Sequence, residues 1–196
     1  MSDTTKAQRG HPSPMMFVSI GIGTAVAIAL IVVVSILTSG PVTLNSNTPN
    51  DQPKSALVGT TVKGFSLSGL VSGTVHAPWQ SGHAAVLIFF ASWCGPCKAE
   101  MPKVAAYLRS HDQGAIKVVG IDANDQRGAA QSFVARSGVT FPVASDPNAD
   151  VTAGIFQFAT LPETVFVNAK GVVQEVYFGA IPTAQLVKGL AALRAA

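Results

Sequence analysis

The sequence predicts an α/β fold: a mixed sheet flanked by helices, with an N-terminal β extension and a βα insert, preceded by one transmembrane helix. Three observations carry this. Val86 to Phe90 is a short apolar run of branched and aromatic residues, the mark of a buried strand, and a helical pattern follows it with Met101, Val104, Ala105 and Leu108 on one side. Further strand-like and helical runs alternate downstream, which describes a mixed sheet with helices on both faces. Upstream, Met15 to Leu37 carries no charge.

At about 1.5 Å per residue the Met15–Leu37 segment reaches about 35 Å, enough to cross a bilayer core with some tilt. Lys6 and Arg9 precede it, and the next ionisable residue is Asp51. The positive-inside rule then makes 1–14 a cytoplasmic tail and puts everything after Leu37 outside the cell membrane. A cleaved signal peptide has a shorter apolar core and a small-residue cleavage site. This core is longer and no clear A-x-A follows, so an uncleaved, single-pass signal-anchor is expected. No cysteine near its end offers a lipoprotein anchor. Residues 38–56 hold three prolines and three asparagines with almost no apolar periodicity, a flexible linker spanning roughly 20–25 Å.

The folded domain is 57–196, ample for one core. Charged residues are only 12% of the chain, and its net charge of +3 reflects few acids rather than a basic patch, so nucleic acid is not an expected partner. Phe65 and Leu67 alternate with Ser66 and Ser68, a half-buried strand, and Val71 to Gln80 is its possible hairpin partner. Ile116 to Ile121 is a second buried strand. Arg127 to Ser137 is a helix ending at Gly138, and Phe141 to Ala144 is short and extended. Asp146-Pro147 reads as an N-cap with proline at the first helical position, opening a helix to about Phe156. Thr164 to Asn168 and Val172 to Phe178 are strands joined at Ala169-Lys170-Gly171, a hairpin. Thr183 starts a last helix with Leu186, Val187, Leu190 and Leu193 inward. His76, His83 and Trp79 read as loop decoration. Asp122, Asn124 and Asp125 resemble part of a calcium loop, but its glycine and terminal glutamate are missing, so they read as a polar turn and helix cap.

Cys94 and Cys97 are the only cysteines, at the strand-to-helix junction. At an N-cap or first helical position, free N–H groups and the helix dipole favour negative charge, which lowers a thiol pKa. Cys97 lies about one turn deeper, close enough to form a disulfide with Cys94. Pro96 sits early in the helix, where its missing N–H costs little. A structural disulfide or half a zinc site uses the same letters. Zinc needs four ligands, no second cysteine pair exists, and the only later histidine is His111. The strand before and the helix after favour redox chemistry, with no metal or cofactor implied.

Trp93-Cys94-Gly95-Pro96-Cys97 resembles the active-site motif of the thioredoxin superfamily, and the element order from Leu57 to Leu193 resembles a thioredoxin fold with an insert at about Phe141 to Phe158. The resemblance implies catalytic Cys94 and Cys97, supported by Trp93, Gly95 and Pro96. It also implies a cis bond at Leu161-Pro162, with the backbone of Leu161 pairing with a substrate strand; an ordinary strand-edge proline would carry the same letters. Thioredoxin's buried acid, six residues before its first cysteine, is replaced here by Ile88. Glu100 in Cys94-x-x-Cys97-x-x-Glu100-Met-Pro102 is similar instead to the membrane-tethered TlpA, ResA and CcmG/DsbE group. There it would exchange a proton with Cys97, although spacing alone fits an exposed glutamate equally well. Glu163, in Pro162-Glu163-Thr164, is similar to the cytochrome c maturation branch, implying a substrate-binding role, against a plain surface glutamate. Thr61 to Lys63 and Val71 to His83 depart from the group's pattern.

These likenesses imply an extracytoplasmic thiol–disulfide oxidoreductase that reduces protein disulfides, with apocytochrome c as client and a transmembrane electron donor of the CcdA/DsbD kind. The alternative is an oxidase that introduces disulfides into secreted proteins. A copper chaperone of the Sco kind would use Cys-x-x-x-Cys and a distal histidine. A peroxiredoxin would need Thr or Ser where Ala91 stands. Haem is not implied, because no Cys-x-x-Cys-His occurs.

Overall fold

The computed structural model describes residues 53–158 and 160–196. The Met15–Leu37 segment and most of the linker lie outside them. Among the described residues, no helix is long and apolar enough to cross a membrane.

Strands β1 (Ser66–Ser68) and β2 (Thr74–His76) form the small antiparallel hairpin suggested by the Phe65–Leu67 alternation. Phe65 is buried while Ser66 and Ser68 are exposed, as a strand with one covered face requires. The main sheet runs β5-β4-β3-β6-β7. Its strands are β3 (Ala85–Phe90), β4 (Lys117–Ala123), β5 (Val143–Asp146), β6 (Glu163–Val167) and β7 (Val173–Phe178). β3, β4 and β5 are parallel, and β6 and β7 return antiparallel. The short extended stretch expected at Phe141 to Ala144 is thus a sheet strand, displaced two residues onward. At the β6–β7 turn, Asn168 Oδ1 accepts from the N–H groups of Lys170 and Val172, and Gly171 supplies a φ of +79°.

The α-helices are α1 (Gly95–Ser110), α2 (Arg127–Arg136) and α3 (Thr183–Ala195). They share one face of the sheet. Met101, Val104 and Leu108 of α1, Phe133 and Val134 of α2, and Leu186, Leu190 and Leu193 of α3 pack in one cluster with Val86, Ile88 and Phe90. Helices on both faces were expected; the α-helices cover one face only, and the other carries, among the described residues, just the short 3-10 helix Pro78–Ser81 through Trp79. The other face, with Ala85, Leu87 and Phe89, is covered by Val62, Phe65, Ala77 and the turns carrying Val151 and Phe156.

The expected Asp146–Phe156 helix is replaced by hydrogen-bonded turns. Asp146 does accept backbone hydrogen bonds, but from Val151 and Thr152, five and six residues on, rather than from the first helical turn. Ala149 takes a φ of +59°, which interrupts any continuous helix. Two further expectations are corrected. Trp79 does not decorate a loop: its ring meets Phe65 edge-on at 5.8 Å and Phe156 at 6.4 Å. Val187 is 41% exposed, and Gly189 takes the inward place on α3 beside Phe166.

Candidate active site

Parallel β3 and β4 end at the same edge of the sheet, and antiparallel β6 begins there, with Glu163 in register with Phe89. Three connections therefore converge at this edge: 91–94 after β3, 124–126 after β4, and 161–162 before β6. This convergence builds the site.

Cys94 is the N-cap of α1, and Pro96 lies within the first two helical positions. Cys94 and Cys97 are joined by a disulfide with a Cα–Cα distance of 5.3 Å. Cys94 Sγ accepts from the Cys97 N–H at 3.2 Å. That donor, with the helix dipole, would stabilise a thiolate once the bond opens. Cys97 is fully buried and Cys94 nearly so, which leaves Cys94 as the sulfur nearer solvent. Gly95 is exposed, and open space surrounds the place where a Cβ would stand. Trp93 is 59% exposed, with its indole Nε1–H donating to the Asn124 carbonyl at 3.1 Å. The indole therefore presents an exposed apolar ring in the residue that precedes Cys94.

The Leu161-Pro162 bond is cis. Leu161 packs against the cluster that contains both cysteines. Glu100 is buried on α1, at 4% exposure, one turn beyond Cys97. Its Oε1 accepts from the Ile181 N–H at 2.8 Å, and its Oε2 meets no donor among the described residues. Burial pushes its carboxyl up from 4.5 to about 7, and the Ile181 hydrogen bond only partly opposes this. The exposed-glutamate reading fails. A carboxyl that shares protons near neutrality, on the helix that carries Cys97, suits proton exchange with a thiol. Glu163 is also buried, at 1% exposure, on the face of the sheet that carries Val165 and Val167. It is no surface glutamate, and its carboxyl is shielded from an incoming chain.

Sequence reasoning missed a second group. Asp122 does not cap a helix: it is fully buried on β4, opposite Phe90 of β3 and Ser145 of β5. Asp125 does not cap through the first turn of α2 either, whose N-cap is Gln126. Its carboxylate accepts from the Ser92 N–H and, at 3.0 Å, from the Ser92 hydroxyl. A polar residue inside the apolar run Lys117–Ala123 was the available signal.

Fold and site define a thioredoxin-like thiol–disulfide oxidoreductase domain. The AhpC/TSA family model matches residues 58–176, and the chain belongs to that family. Among curated relatives, thiol-disulfide oxidoreductase ResA of Oceanobacillus iheyensis is 29% identical over 108 residues, covering 55% of this chain and 56% of that protein. The chain thus spans little more than half the length of that relative. The solved structure of MTB dsbF, in mixed oxidized and reduced forms, is 30% identical with a TM-score of 0.59, covering 72% of this chain and 99% of that one. A secreted Mycobacterium tuberculosis disulfide oxidoreductase homologous to E. coli DsbE is 27% identical with a TM-score of 0.58, covering 66% and 96%.

Proposed function

We propose that this protein is a membrane-tethered oxidoreductase that works outside the cytoplasm and reduces protein disulfides, with the Cys-x-x-Cys-His cysteines of apocytochrome c as its client. The observation that carries the reading is the Cys94–Cys97 pair at the start of α1, with the buried acid Glu100 one turn beyond.

In the dithiol form, the Cys94 thiolate attacks a substrate disulfide. One substrate S–S bond breaks, a Cys94–substrate bond forms, and the departing substrate sulfur takes a proton. The substrate strand lies along the backbone of Leu161, next to Pro162 and the exposed Trp93 indole. Cys97 then gives its proton to Glu100 and attacks Cys94 Sγ. The mixed disulfide breaks, the Cys94–Cys97 bond forms, and the second substrate sulfur leaves and is protonated. Two electrons have passed to the substrate. Glu163 supports the Leu161–Pro162 segment from within β6 rather than by touching substrate.

Oxidation prevails outside the cytoplasm, so renewed reduction needs electrons from a transmembrane donor of the CcdA/DsbD kind. The tether rests on the uncharged Met15–Leu37 segment with Lys6 and Arg9 before it. The secreted mycobacterial relative supports the compartment. Pro162-Glu163-Thr164 supports the cytochrome c branch.

The test is a trap. Cys94→Ser should abolish exchange, and Cys97→Ser should accumulate mixed disulfides in membrane fractions. Recovery of c-type cytochromes in that trap is the expected result. Recovery of unrelated secreted proteins, with a reduction potential near about −120 mV rather than about −270 mV, would make the protein an oxidase instead. Stoichiometric copper(I) binding with no disulfide exchange would reject both roles.

A further inference from the structure

Asp122 occupies a place where an ionised carboxylate has no support. Its side chain is fully buried, and neither Oδ meets an N–H or hydroxyl donor among the described residues. Its side-chain neighbour within hydrogen-bonding reach is another carboxyl, that of Asp125. Two carboxyl groups bond to each other only if one of them keeps a proton. Asp125 is already committed as an acceptor. It receives the Ser92 N–H, the Ser92 hydroxyl, and its neighbour Gln126 N–H at 2.7 Å. The proton therefore belongs to Asp122.

We propose that Asp122 is a positioning residue for the exchange reaction: its buried carboxyl donates a hydrogen bond to Asp125, and the shared proton holds the Ser92–Trp93 segment that presents Cys94. This rests on the functional reading above, since it assigns a role in that same site. Asp125 grips Ser92 from one side, and the Asn124 carbonyl next to it grips the Trp93 indole from the other. Without the proton, two carboxylates face each other in a buried place, and Asp125 is pushed off Ser92.

The charges around the pair are few. Asp146 approaches from β5 and favours the protonated form. Arg127, at the start of α2, opposes it while its Nη1 donates to the carbonyls of Gly69 and Leu70, at 3.1 and 2.6 Å, and burial outweighs that opposing charge. From β3, the residue in register is Phe90, which carries no charge. Burial, with Asp125 beside it, raises the Asp122 carboxyl from 3.8 to about 7, so the switch falls near neutral pH.

The test uses the oxidised full chain, in which the cysteines cannot titrate. The carboxyl carbon of Asp122 and the indole Nε1–H of Trp93 are followed by NMR across neutral pH. The expected result is one shared midpoint for both signals. Asp122→Asn, whose amide donates at every pH, should keep the indole signal at its low-pH position throughout. Asp122→Leu, with no donor, should shift it at every pH and slow disulfide exchange about tenfold. Asn should restore what Leu loses. An indole signal indifferent to pH in the native protein overturns the proposal, and so does an Asp122→Asn protein that still shows the native transition. A shared transition in a protein that exchanges no disulfides would sink the functional reading and leave the shared proton standing.

Discussion

Glu100 shows how one buried side chain links stability to chemistry. Its folded pKa, about 7, lies above its ordinary 4.5, so between those values the folded protein binds more protons than the unfolded chain. Stability must then fall as pH rises through that window and level off above it, by on the order of 3 kcal/mol. Asp122 acts in the same direction from 3.8 to about 7. In Glu100→Gln the decline should shrink: the urea midpoint should exceed that of the native protein at about pH 8, with little difference at about pH 4. Equal midpoints at the higher pH would mean that folding does not raise the proton affinity of this carboxyl. The same variant should slow resolution of a preformed Cys94 mixed disulfide, on the order of 100-fold in a stopped-flow trace.

At the scale of elements, α3 is held against the sheet by a close approach at Gly189. A Cβ there would stand 2.3 Å from the Phe166 ring of β6. Phe166 is itself fully buried, so the ring has nowhere to move. Gly189→Ala should therefore destabilise the fold by roughly 1–3 kcal/mol, although alanine is the better helix former by about 1 kcal/mol. Overpacking outweighs propensity at this position. A urea melt with a lower midpoint and an unchanged slope would show it; a midpoint raised by the substitution would mean α3 sits farther from β6. The neighbouring Val187 is 41% exposed, and its replacement by Lys should leave the midpoint nearly unmoved.

On the scale of the whole molecule, the described residues close their own core. The sheet is covered by three helices on one face and by the N-terminal stretch and turns on the other. Thr61 bridges to Val172 and Gly69 to Ala144, so the N-terminal stretch reaches both edges of the main sheet. A chain beginning at Pro53 should therefore melt with the full-length protein and reduce a soluble disulfide substrate at the same rate. Its distribution between membrane and soluble fractions should differ, because the Met15–Leu37 segment has been removed. A truncated chain that melts markedly lower would give the preceding residues a structural role.

Much of this molecule is written in local patterns. The Val86–Phe90 run, the Cys94-Gly95-Pro96-Cys97 junction and the Asn168–Gly171 turn are set by residues close in the chain, and each appears where periodicity and turn chemistry put it. Glu100 was legible as a candidate, but its burial was not, because the Ile181 N–H that donates to it lies far along the chain. Asp146 kept its capping chemistry and lost its helix, since the positive φ at Ala149 breaks the run that the N-cap signal would have opened. Asp122 and Asp125 read as a polar turn because letters three apart do not reveal that a strand from elsewhere has sealed one of them from water. Spacing and hydrophobic period reach only a few residues along the chain. Solvent exposure, and the proton affinity that follows from it, exist only after distant strands have closed around the group.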